Sequence, residues 1–204
     1  MHFFQIDNSC FARRIMLYYE LLLIYCLSEA DTDMKVEMHT HTSETSPCAH
    51  ICAQDVIKMY KEAGYDTVVI TDHYSKWVFE KNSAKTPDEV TSHFLKGYKT
   101  ALGCAETYDI NVLLGCEVTL TESPNDYLLY GVNEDFFHTH PFLYNLSLEE
   151  LSEICHNENI LIVQAHPNRA YCEPVNPALL DGAEVFNGNP RHNSNNRSEE
   201  HTSE

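Results

Sequence analysis

No cluster of lysine or arginine occurs anywhere in this chain, whose 13 basic residues face 31 acidic ones for a formal net charge of −18. That scarcity argues against a broad surface tracking a nucleic-acid backbone, and no aromatic–basic track offers a path for a long single strand. An acidic protein can still bind phosphate where metal ions supply the positive charge locally. No Cys-x-x-Cys pair occurs among the eight cysteines, and a chain of 204 residues does not need disulfides to fold. Reduced thiols and a cytoplasmic location are the expectation. No internal repeat or low-complexity tract appears, and no apolar run is long enough to span a bilayer, so no membrane association is expected. The length suits one domain. Nothing in the sequence bears on oligomeric state.

Residues 1–33 stand apart from the rest. Arg13 and Arg14 precede a short apolar run ending in Ser28-Glu29-Ala30, the outline of a signal peptide, but Glu20 interrupts the run. Three readings stay open: a misplaced start, with Met34 opening the true protein on its first strand; a real signal; or a helical extension. The favoured one makes 1–33 a spurious or non-barrel extension.

From Met34 onward, short apolar runs alternate with helical patterns. "VEM", "DTVVITDH", "INVLLGCEVT", "DYLLYGV", "ILIVQAH" and "GAEVFNG" read as strands. Between them, Val56, Ile57 and Tyr60 recur at helical spacing before a stop at Gly64. Pro87 and Asp88 open a long amphipathic helix, and Ser147 with Glu150 forms a capping box. Strands apolar on both faces, alternating with helices, predict a buried parallel sheet or an α/β barrel. The pattern ends after Gly188.

Each strand ends in polar residues: His39 and His41, Asp72-His73, Glu117, Asn133, His166, then Glu184 and Asn187. In α/β barrels and open sheets, chemistry sits at the C-terminal ends of strands. Residues i and i+2 on a strand point to the same side, so His39 and His41 can converge on one ion. Neutral imidazoles with one or two carboxylates suit Zn, Mn or Fe. Any one element is weak, but charges placed together at successive strand ends would be costly without a common partner. His138 and His140 imitate the first motif but follow Phe136 and Phe137, past the strand, and are read as loop residues.

The pieces "HTHTSETSPCAH", "TDH", "GCEVT", "AHPNR" and "EVFNGN", in that order, resemble the PHP (polymerase and histidinol phosphatase) family of metal-dependent phosphoesterases. The resemblance spans residues 34–196. It implies a distorted (β/α)7 barrel, here incomplete at the C-terminus, with two or three divalent ions. By that match His39 and His41 bind the first ion, Glu117 bridges the first and second, His166 binds the second and His73 the third; these five would be the catalytic centre. His50 is a further ligand if the first loop bulges. Asp72 is expected to orient His73, and Asn133, where relatives often have His, to stand beside the ligands. Arg169 and Arg191 are candidates to clamp a substrate phosphate.

The family closes on an Asp-x-His that this chain lacks. Residues 197–204 are instead what the DNA string AGATCGGAAGAGCACACGTCTGAA encodes, a string resembling a sequencing-library adapter. The expectation is a truncated domain with an adapter-derived tail, in which His201 is no ligand. The implied activity is hydrolysis of a phosphate ester by a metal-activated water, on a small phosphorylated substrate. The rivals are a nuclease acting on nucleic-acid ends and a degenerate metal-binding module. Restoring the native downstream sequence is expected to raise both metal content and phosphatase rate over the 204-residue form. Equal values in the two would overturn the truncation reading and the role given to the missing motif.

Overall fold

The computed structural model describes residues 34–188 together with the backbone of a strand at Phe3–Ile6 (β1). The apolar runs form β2 (Val36–Thr40), β3 (Thr67–Ile70), β4 (His73–Ser75), β5 (Asn111–Thr119), β6 (Asp126–Tyr130), β7 (Leu161–Gln164) and β8 (Gly182–Phe186). The helical patterns form α1 (Ala53–Glu62), α2 (Lys76–Lys81), α3 (Pro87–Tyr108), α4 (Glu134–Thr139) and α5 (Leu148–Asn157). The local signals act as their chemistry dictates. Gly64 takes a left-handed φ of 78° just past α1, and Thr86–Glu89 and Ser147–Glu150 both close reciprocal capping boxes.

The strands make one curled sheet in the order β1-β8-β7-β6-β5-β3-β2, with β4 also paired to β5. This is the incomplete α/β barrel that the resemblance implies. β5 organises the curl: its first half pairs in parallel with β3 and its second half with β4. The chain bends between those two partners at Thr71–Asp72, where the Glu117 amide donates to the Asp72 carbonyl. Side chains alternate along β5. Val112, Leu114, Cys116 and Val118 face the helices, while Leu113 and Glu117 face the hollow of the sheet. Tyr74, Phe79, Phe94 and Phe137 fill the helix side with rings 4.5–5.5 Å apart. Val69, Leu128, Tyr130, Leu161, Val163 and Ala165 fill the hollow below the polar residues.

Three expectations change. The sheet is not parallel throughout, because β6 runs antiparallel to both β5 and β7. Residues 120–125 are too few for a parallel crossover, which needs a dozen or more. The start of β6, Asp126, therefore lies at the polar end of the sheet, and Asn133 follows the opposite end. Asn133 is no neighbour of the strand-end cluster; its side chain caps α4 by accepting from the Phe136 amide at 2.9 Å. The N-terminal segment also departs from the expectation over four residues: Phe3–Ile6 pairs antiparallel with β8 and extends the sheet. An unpaired β8 edge would leave a row of backbone donors and acceptors open, and these residues fill it. Residues 7–33 and 189–204, with Arg191, His201 and the tail, lie outside the described residues. Among the described residues, no helix is long and apolar enough to cross a membrane.

α3 crosses the first loop at Gly97. A Cβ there would drive into Thr42 Oγ1 and Asp72 Oδ2, so the helix approaches closely only because this residue is glycine. Gly103, on the same helix, has open space where its Cβ would be. Gly97→Ala should cost about 1–3 kcal/mol through overpacking. Gly103→Ala should gain up to about 1 kcal/mol of helix propensity. Thermal denaturation of the two variants checks the opposite signs.

Candidate metal centre

The first histidine pair is aimed by an irregularity in β2. Glu37 pairs with Val68 and Thr40 with Ile70, so three steps on β2 match two on β3. The extra residue is a bulge, which shifts the side-chain phase by one. His39 and His41 thus turn towards Glu117, although Val36 and Met38 already line the hollow. The bulge leaves the His39 amide off the ladder, and Glu37 Oε1 accepts it at 3.1 Å.

The loop after β2 is tied to Asp72. This buried carboxylate accepts from the Thr42 amide at 2.7 Å and from the hydroxyls of Thr42 and Ser46, each at 2.6 Å. Burial pushes its pKa up to about 6, against the pull of those donors. The Ser46 hydroxyl in turn accepts from the His73 amide at 2.9 Å. Asp72 therefore reaches His73 through Ser46 and the backbone. It fixes the loop to the end of β3 and supports His73 by that route, without contact to the ring.

Glu117 is fully buried and stands between four imidazoles. Oε1 lies 2.8 Å from His166 Nε2 and 3.3 Å from His39 Nε2. Oε2 lies 2.9 Å from His73 Nδ1 and 3.2 Å from His41 Nε2. Despite that closeness, Oε2 has no aligned hydrogen bond, and the buried His166 Nδ1 has no partner. Four ring nitrogens gathered on one buried carboxylate form a set of donor atoms around a shared space. The rings pack to match: His41 and His73 stack at 4.4 Å, and His39 and His166 at 5.8 Å.

Burial opposes ionisation of Glu117, but His73, His39 and His166 outweigh it and hold the carboxyl well below its usual range. Burial likewise opposes charge on His39, yet Glu117 and Glu184 raise its pKa to about 10. His41 goes the other way, down to about 4, through burial and the neighbouring His73. Burial disfavours charge on His73 too, but Glu117 and then Cys48 raise its pKa well above the ordinary value. The buried carboxylates demand positive charge from whatever occupies the pocket, proton or cation.

Glu184 buttresses the opposite wall. Its Oε1 meets His39 Nδ1 at 3.1 Å, and its Oε2 accepts the His166 amide at 2.8 Å and Asn187 Nδ2 at 3.1 Å. His166 holds φ at 31°, an uncommon left-handed conformation for a non-glycine residue, and that amide bond pins it there. Asp126 completes the group, with Oδ2 3.7 Å from His166 Nε2 and Oδ1 accepting from Thr119 Oγ1 at 2.5 Å. Burial, and then the charge of Glu117, raise its pKa.

Three sets of donor atoms lie within 4.8 Å of one another: His39–His41–Glu117, Glu117–Asp126–His166 and His41–Cys48–His73. His39, His41, His73, Glu117 and His166, read separately from the sequence, come together. His50 does not; it is exposed, and Cys48 stands in its place because a turn closed by Ser46 and Ala49 brings the chain back two residues earlier. Asp126 was missed because β6 was read as parallel; the signal for it was a carboxylate opening a strand after the turn residues Ser123-Pro124-Asn125. Arg169 follows His166, with its guanidinium on the Tyr171 hydroxyl at 2.9 Å and Nε buried without a partner. His138 belongs to α4 and is not the loop residue expected, whereas His140 follows the helix outside regular structure, as expected, and meets Glu158 at 2.7 Å.

A comparison with curated proteins gave no match. Among solved structures, a candidate metal-dependent phosphoesterase from Bifidobacterium adolescentis is 14% identical with a TM-score of 0.52; the match covers 84% of this chain and 82% of that one. A two-domain protein from Bacteroides vulgatus with a predicted PHP-like metal-dependent phosphoesterase is 12% identical with a TM-score of 0.49; 66% of this chain is covered. This chain spans 35% of the length of that second protein. At these identities the likeness is one of fold. The model of the PHP domain matches residues 37–186, nearly all the described chain, and this protein belongs to that family.

Proposed function

We propose that this chain is a metal-dependent phosphoesterase that hydrolyses a small phosphomonoester, with Glu117 as the carboxylate shared between ions. The observation that carries the reading is the environment of Glu117, whose two oxygens each face two ring nitrogens in a fully buried pocket. The donor set fits divalent Zn, Mn or Fe: imidazoles and carboxylates, preheld, with Oε2 and His166 Nδ1 left without hydrogen-bond partners. When bound, such ions lower the pKa of water towards neutrality and neutralise charge on the phosphoryl oxygens.

The protein groups supply the rest. His39 and His41 would hold one ion with Glu117, and His166 and Asp126 would hold another. Glu184 fixes the His39 ring through Nδ1, the outer contact that sets tautomer and orientation in histidine ligands. Arg169, three residues after His166, is the candidate to hold a substrate phosphate. A groove of about 720 Å³ opens from His73 between Lys76, Trp77, Thr119 and Ser123. One exposed aromatic and one lysine suit the leaving group of a small molecule and offer no track for a strand. A nucleic-acid end is the less favoured substrate. The cytoplasm is the compartment we assign, on the expectation that the cysteines of a chain this long are reduced thiols.

Metal analysis with parallel assays on a phosphomonoester and a dinucleotide tests this reading. The protein should carry divalent metal and hydrolyse the monoester faster; bound metal with no hydrolysis of either would leave a non-catalytic module. Glu117→Gln should remove most of the metal and lower the rate by about 100-fold or more. Asp126→Asn should lower metal affinity by at least the roughly 10–100-fold that loss of a supporting contact costs, since it replaces a ligand carboxylate with an amide. Asn133→Ala should leave metal content unchanged and cost about 1 kcal/mol of stability, as expected of a helix cap. Metal loss in Asn133→Ala would restore that residue to the site.

A further inference from the structure

We propose that Cys48 is a metal ligand, and that with His41 and His73 it makes a sulfur-containing position selective for zinc-like ions. The proposal rests on the reading that this centre binds metal, but its content is separate: which atom completes the third donor set, and what ion that atom prefers.

The geometry makes Cys48 part of a built site. Its Sγ, a nitrogen of His41 and a nitrogen of His73 lie within 4.8 Å of one another. The three come from two segments that Ser46 joins. The Ser46 hydroxyl donates to Asp72 and accepts the His73 amide, while the Ser46 carbonyl accepts the Ala49 amide and closes a turn with Cys48 inside it. The thiol is therefore carried against the start of β4 by a loop whose anchors are buried. Oε2 of Glu117, without an aligned hydrogen bond, faces both His41 and His73 from the other side. His41 belongs to two of the donor sets, so an ion here would take its imidazole in place of the His39–His41–Glu117 set, and the site has two imidazoles, one thiol and an adjacent carboxylate oxygen.

Thiolate ligands select zinc and its relatives over manganese or magnesium, which favour oxygen. Cys48 and His73 also line the groove, so an ion here faces incoming substrate, whereas the donors around Asp126 and His166 are buried. The centre thus divides into a nitrogen–oxygen part whose donors suit zinc, manganese or iron, and a groove-facing position that discriminates by sulfur.

The test uses the full chain loaded with cobalt as a spectroscopic substitute for zinc. Wild-type protein should show a thiolate-to-cobalt charge-transfer band in the near ultraviolet. Cys48→Ser should abolish it, and Cys104→Ser, on α3, should keep it. In competition titrations Cys48→Ser should bind its most zinc-selective equivalent about 10–100-fold more weakly, with manganese binding unchanged. Zinc should also slow alkylation of Cys48, followed by mass spectrometry of that peptide. A band that survives Cys48→Ser, or cobalt bound to wild type without any band, overturns the sulfur ligand and leaves the phosphoesterase reading standing. Wild-type protein that binds no metal overturns both.

Discussion

A single buried negative charge governs this structure. Glu117 sits at the centre of the sheet on its longest strand, with no solvent to stabilise it, and removing a carboxylate from water costs several kcal/mol unless compensating charge is supplied. The surrounding chain supplies that charge from four directions, by imidazoles at the ends of β2 and β7 and at the start of β4. Each histidine reaches Glu117 by a different device. A bulge turns the first pair inward, the break between β3 and β4 presents His73, and a left-handed residue presents His166. Devices of this kind disturb regular backbone and persist where the surroundings hold them.

Those supports form a layer behind the donors. Glu37 takes up the amide that the bulge releases, Glu184 takes up the amide of His166 and the far nitrogen of His39, and Asp72 gathers the first loop. Three buried carboxylates thus act on backbone and loop geometry, while Glu117 and Asp126 face the shared space. The close approach of α3 at Gly97 presses on the Thr42–Asp72 pair, so the helix packing and the position of the first loop are mechanically one feature. A loop held in this way keeps Cys48 near His73 without a strand to carry it.

The acidic composition fits this arrangement. With a surplus of carboxylates and few basic residues, the chain has little of its own to hold a phosphate, and the positive charge of such a site must come mainly from cations. Membership of the PHP family and the donor geometry point the same way, while the groove with its lone tryptophan sets the scale of what can bind beside it.

Much of the fold and most of the candidate site were legible in the sequence. The strand runs, the capping boxes and the stop at Gly64 follow from local pattern and propensity, which depend on neighbours a few residues apart. His39, His41, His73, Glu117 and His166 were readable because polar residues interrupting apolar strands are costly unless they meet. What the sequence could not disclose were facts of direction and reach. Whether β6 runs with or against β5 exchanges Asp126 for Asn133 at the polar end, and periodicity is the same in either sense. Whether the first loop offers Cys48 or His50 depends on a turn pinned by Asp72 through Ser46, a contact between segments 26 residues apart. The sequence by itself determined which residues needed partners; only the tertiary structure decided which ones they found, because strand direction and loop closure are set by long-range hydrogen bonds that leave no period in the chain.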